Sequence, residues 1–191
     1  SRYFAENGAK RVLGVDISKN MINLAKKENN YKNVEFKVLE MERILKIKEK
    51  FDMVFSSLAF HYVEDFEKLM KDISNLLNPN GILIFSQEHP VATAIIYNGK
   101  EMEKHIDING KRYYLLSDYN NNSKRVLNWN MQDTIKYHRN FSTIINSIIK
   151  NNMQILEVRE SQPEKEAVKQ VPKYKYQIDR PYFLYIKAKK L

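Results

Sequence analysis

Short apolar runs in this chain repeatedly end on residues able to do chemistry. Val12-Leu13-Gly14-Val15 ends on Asp16, and Val34 to Leu39 ends on Glu40. Phe51 to Phe55 runs into Ser56-Ser57, and Gly81 to Ser86 runs into "QEHP", which carries Glu88 and His89. An acid closing a strand, followed by a capped helix, suits a ribose: its two oxygens accept in parallel from adjacent hydroxyls. Ser18 is such a cap, ahead of Met21, Ile22, Leu24 and Ala25. The glycine-rich loop expected about 20 residues before such an acid is not in the 15 residues that precede Asp16. Two other readings stay open at this point. The acid at Asp16 could simply favour the helix N-terminus after it, by about 0.3–1 kcal/mol. NAD would also use the same acid.

The elements that position these residues alternate. Residues 1–9 read as a helix end with Gly8 as its stop. Strands at 11–16 and 34–39 flank the helix after Ser18, and a short helix or turn runs to Lys50. Phe66, Leu69, Met70, Ile73, Leu76 and Leu77 recur at helical spacing, predicting a helix over 64–78 that "NPNG" terminates. Strand–helix alternation argues for a parallel, helix-covered sheet with all carboxyl ends along one edge. Asp16, Glu40, Ser56, Glu88 and His89 would share that edge, where open α/β sheets bind ligands. The strand at 11–16 is expected to be buried on both faces. From about 90 to 139 the chain is polar and aromatic, and too long for an ordinary connection, so a lid with strands of its own is expected. A helix over 141–150 should turn Phe141, Ile144, Ile145, Ile148 and Ile149 inward. Strands at 154–159 and 182–188 close the chain, and no domain linker stands out.

Composition narrows the classes. The 191 residues contain no cysteine, which excludes disulfides and thiolate metal sites. No apolar run approaches the ~20 residues of a spanning helix, and no histidine or acid spacing forms a metal pair on one helix face, so no metal is expected. The formal charge of +9 favours a solvated lysine surface over a nucleic-acid face, because the basic runs are interrupted by acids and apolar residues. A cytoplasmic location fits.

The stretches "GVDISKNMINLAKK", "VEFKVLEMERI", "FDMVFSSLAFHYVEDFEKLMKDISNLLNPNGILIFSQEHP", "KYHRNFSTIINSII" and "RPYFLYIKAKK" together resemble the class I, Rossmann-like S-adenosylmethionine-dependent methyltransferases. The resemblance is to the small-molecule group that includes the ubiquinone/menaquinone-type enzymes. It implies a single α/β domain with a mostly parallel sheet, helices on both faces, an antiparallel last strand, and a lid at about 90–139. It also places the family's glycine-rich loop and first strand upstream of Ser1, leaving a gap in the sheet open to association.

Carried over by position, the resemblance gives Asp16 to the ribose, Ile17 to the adenine face, and Glu40 with Met41 to the adenine edge. Ser56, Ser57, Leu58 and His61 would line the methionine end of S-adenosylmethionine. An acceptor hydroxyl or protonated amine would need a base, for which His61, His89 and His138 are candidates. Arg139 could hold an acidic group of the acceptor, and Tyr97 and Trp129 belong to the aromatic stretch expected to enclose it. The expected function is methyl transfer to a small molecule. An RNA methyltransferase and a non-catalytic nucleotide-binding module are the alternatives.

Overall fold

The computed structural model describes residues 1–94, 96–97, 100–101, 105–129 and 132–191, with the side chains at 95–104 and 128–132 outside the description. Contacts divide the chain into two compact units, Ser1–Lys48 and Glu49–Leu191.

The first unit begins with α1 (Arg2–Glu6), which ends before Gly8 at φ +89°. Strands β1 (Val12–Asp16) and β2 (Val34–Val38) pair in parallel around α2 (Lys19–Glu28). The Ser18 hydroxyl accepts the Met21 N–H at 3.3 Å and so caps α2 as its sequence promised. Gly14 is required where it stands, because a β-carbon there would lie 2.6 Å from the Phe36 ring. A 3-10 turn, Met41–Lys46, follows β2. Contrary to expectation, β1 is not buried on both faces: Val15 and Asp16 are exposed, as is Val38 on β2. Within this unit α2 packs on both strands, and one helix covers one face.

The second unit is built on a four-stranded sheet. Its strands are β3 (Phe51–Ser57), β4 (Leu77–Glu88), β11 (Met153–Glu160) and β12 (Phe183–Lys190), in the order β11-β12-β4-β3. Strands β3 and β4 are parallel, whereas β12 runs antiparallel to both β4 and β11. Hence β3, β4 and β11 point the same way and share a carboxyl edge. Strand β3 does not stop at Phe55 as expected, because Ser56 and Ser57 still pair with Phe85 and Ser86.

One face of this sheet is formed by Leu83 and Phe85 with Leu184, Ile186 and Ala188, all buried. Helices α3 (Phe66–Leu76) and α5 (Phe141–Lys150) complete the core with Met70, Ile73, Ile144 and Ile148. Each such side chain contributes about 1.5–3 kcal/mol when fully buried. Phe60, Phe66 and Phe85 form an aromatic cluster, with the Phe60 and Phe85 rings 4.9 Å apart. Helix α3 is shorter than the 64–78 reading at both ends: the Asp65 carboxylate accepts the Lys68 N–H and starts it at Phe66, and it stops at Leu76, just before β4 begins. Helix α5 has the expected bounds, but Phe141 and Ile149 point outward and the inner stripe narrows to Ile144, Ser147 and Ile148.

The segment from 90 to 139 does carry strands. After α4 (Pro90–Thr93), strands β5 (Ile96–Tyr97), β6 (Lys100–Glu101), β9 (Ser123–Trp129) and β10 (Gln132–His138) form a second sheet. Strands β7 (His105–Ile108) and β8 (Lys111–Tyr114) make a hairpin. Its turn is Asn109-Gly110, both at positive φ, the pair that two-residue hairpin turns demand. The polar stretch before β12 holds α6 (Lys165–Gln170) and a 3-10 turn, Pro172–Gln177.

Candidate active site

In the first unit, Asp16 stands opposite Val38, and the Leu39 N–H extends the ladder by donating to the Asp16 carbonyl at 2.9 Å. Asp16, Ile17, Glu40 and Met41 therefore meet at the carboxyl ends of β1 and β2. The Ser18 N–H donates to Asp16 Oδ1 at 2.7 Å and fixes the carboxylate's orientation. Ile17 is exposed. Glu40 is paired with the Arg43 guanidinium at 2.9 Å.

In the second unit, the carboxyl ends of β3 and β4 gather the next group. The Leu58 N–H donates both to the Ser86 carbonyl, at 2.9 Å, and to the Ser86 hydroxyl, at 3.2 Å. Leu58 takes a left-handed backbone, φ +51°, which turns the chain off β3 towards the 3-10 turn Phe60–Tyr62. His61 on that turn accepts the Glu88 N–H at Nδ1, 3.3 Å. The Glu88 carboxylate accepts from Lys136 Nζ at 2.5 Å, which ties β4 to β10.

The three histidines expected as bases share one arrangement. His61 Nδ1 takes the Glu88 N–H, His89 Nδ1 takes the Val91 N–H at 3.1 Å, and His138 Nδ1 meets the Thr93 hydroxyl at 2.6 Å. The Nε2 of His89 faces Glu160 at 2.8 Å, and that of His138 faces the Tyr119 carbonyl at 3.0 Å. Carboxylates and carbonyls only accept, so in both rings Nε2 carries the proton and Nδ1 the occupied lone pair. Burial is the largest influence on all three and holds each below the ordinary histidine range, His61 down to about 4. Each ring is neutral at pH 7.

A cavity of about 500 Å³ opens beside His89, within the range of small-molecule sites. Glu160, Arg180, Lys111, Tyr113 and Tyr114 share its wall. Arg180 is buried, donates to the Ala92 carbonyl at 3.0 Å, and lies over the rings of Tyr114 and Tyr182. His89 joins this wall through Glu160, with the two side chains coming from the carboxyl ends of β4 and β11.

Of the residues expected on the acceptor side, Arg139 is buried, and its guanidinium donates to the carbonyls of Val63, Glu64 and Tyr137. Burial lowers it to about 10, still charged at pH 7. The side chains of Tyr97 and Trp129 lie outside the described residues. Glu160 and Lys136 were not singled out in the sequence. Glu160 carried a usable signal, because it closes β11 at the same edge as Glu88. Lys136 carried none, being one lysine of many on a strand with no apolar rhythm.

The "Methyltransferase domain" family matches residues 1–85. An uncharacterized protein of Haemophilus influenzae is 36% identical over 98% of this chain and 75% of its own length. The crystal structure of an S-adenosylmethionine-dependent methyltransferase from Mesorhizobium loti matches with a TM-score of 0.88 and 28% identity, over 99% of this chain and 84% of that one. A putative S-adenosylmethionine-dependent methyltransferase from Listeria monocytogenes gives 0.87 and 35%, over 99% and 83%. The α/β sheet read from strand–helix alternation and the Rossmann-like class implied by the resemblance are those of these structures. The chain belongs to the class I S-adenosylmethionine-dependent methyltransferases.

Proposed function

We propose that this enzyme methylates a small-molecule acceptor bound in the cavity beside His89 and Glu160, in a cytoplasmic reaction of the ubiquinone/menaquinone-type group. The observation that carries the reading is that cavity, which has the volume of a small ligand and lies at the carboxyl edge of β4 and β11. Surface lysines that form ion pairs, such as Lys150 with Glu67 and Lys169 with Glu166, favour a small acceptor over RNA. Among the described residues no helix is long and apolar enough to cross a membrane.

Taken each by itself, the two groups of strand ends fit separate parts of the cofactor's chemistry. Asp16, oriented by the Ser18 N–H, suits two ribose hydroxyls. Exposed Ile17 offers an apolar face to the adenine, with Glu40 and Met41 at its edge. Ser56, Ser57, Leu58 and His61 take the methionine end. When bound, the cofactor supplies a methyl carbon on a positively charged sulfur. That carbon would be transferred to an acceptor lone pair, with the C–S electron pair left on sulfur. The walls align the acceptor behind the methyl and exclude water. His89 and His138 cannot take a proton at Nδ1 without giving up a bond, so the Glu160 carboxylate, held by His89, accepts the acceptor's proton.

Calorimetric titration with S-adenosylhomocysteine, with NAD as comparison, tests the cofactor assignment. Micromolar binding is expected, and Asp16→Ala should weaken it tenfold or more with only a small fall in Tm, from the lost Ser18 N–H bond. Binding of NAD but not S-adenosylhomocysteine would overturn the reading.

A further inference from the structure

Glu88 links β4 both to the 3-10 turn Phe60–Tyr62 and to β10 at the carboxyl edge. Its N–H bonds His61, its carboxylate bonds Lys136, and Ser86, two residues earlier, holds Leu58. The Lys136 side chain is only 3% exposed and that of Glu88 23% exposed. Removing two charges from water costs several kcal/mol per ion, which their attraction offsets only when the geometry is good. A plain clasp between β10 and the sheet could be made by apolar side chains at lower cost, so the presence of charge calls for a reason.

The reaction provides one. Methyl transfer turns a sulfonium into an uncharged thioether, so donor and product differ by one unit of charge at the sulfur. Serines 56 and 57, Leu58 and His61, assigned above to the methionine end, are the segments that Ser86 and Glu88 hold. A lone carboxylate there would favour the sulfonium, while the ammonium beside it offsets that preference. The fields of both charges already act on this group: Glu88 raises, and Lys136 lowers, the proton affinity of both His61 and Tyr62.

We propose that the Glu88–Lys136 pair is a charge-balancing device that sets the enzyme's relative affinity for the sulfonium donor and the thioether product. The inference rests on the assignment of residues 56–61 to the methionine end of the cofactor. Between unit charges roughly 10 Å apart, Coulomb's law gives about a fourfold to fifteenfold change in affinity at effective dielectrics between about 40 and about 20.

The test is the ratio of the S-adenosylmethionine and S-adenosylhomocysteine dissociation constants, measured by calorimetry on the wild type, Glu88→Gln, Lys136→Met and the double variant. Glu88→Gln should weaken the donor about fourfold or more relative to the product, and Lys136→Met should shift the ratio the other way. The double variant, which removes both charges of the pair, should return close to the wild-type ratio, and circular dichroism checks that each variant is folded. If the variants weaken both ligands equally, the pair is a structural clasp and the proposal falls. If the wild type binds neither ligand, the cofactor assignment itself has failed.

Discussion

His61 makes the stability of this protein depend on pH in a calculable way. The ring is buried, accepts the Glu88 N–H and stays neutral down to about pH 4, whereas in the unfolded chain it titrates at its ordinary 6.5. Between those values the unfolded state binds a proton that the folded state does not. Stability is therefore fully present above pH 6.5 and is lost as pH falls towards 4, at up to about 1.4 kcal/mol per pH unit, or about 3 kcal/mol in all. His61→Asn removes this titration and keeps an oxygen able to accept the Glu88 N–H. Urea unfolding followed by circular dichroism between pH 7.5 and pH 4 reads the difference. His89 and His138, also held low by burial, act alike in both proteins and cancel. With m of about 2 kcal/mol/M, the wild-type midpoint should fall about 1.5 M more than that of the variant. Parallel profiles for the two proteins would refute a buried, neutral His61.

Other perturbations isolate single features. Asn140→Ala removes the side-chain oxygen that accepts the Thr143 N–H at the start of α5, and should cost about 1 kcal/mol in chemical denaturation. Leu58→Gly relieves the left-handed backbone at φ +51°, where a branched side chain costs about 1–2 kcal/mol. Its Tm should rise by about 2–4 °C per kcal/mol relieved, while calorimetry should show weaker S-adenosylhomocysteine binding. A fall in Tm would remove the strain argument. Gly14→Ala drives a β-carbon to 2.6 Å from the Phe36 ring and should destabilise by about 1–3 kcal/mol, whereas Gly8→Asn, in open space at positive φ, should change little.

The parts of the fold legible in the sequence are those fixed by local rules. Ser18, Gly8 and the apolar stripe of α3 act within a few residues, so the sequence locates the elements they start, stop or bury. The carboxyl edge is legible for a similar reason: strand direction follows from alternation, Asp16 and Glu88 close their strands, and Glu40 and Ser56 lie within two residues of the ends of theirs. What the sequence does not show is the partner of each polar atom. Candidate bases can be picked out as histidines, but a base needs a free lone pair, and that depends on contacts far away in the chain. Glu88 reaches back 27 residues to His61, and Thr93 reaches 45 residues forward to His138. The Arg139 guanidinium reaches carbonyls 75 and 76 residues earlier, a destination that no local pattern encodes. Long-range pairing of this kind decides whether a polar side chain supports the fold or faces a ligand. His89 and Glu160 lie 71 residues apart, yet they meet because β4 and β11 run in the same direction with β12 between them. The antiparallel last strand thereby brings a carboxylate to the cavity wall.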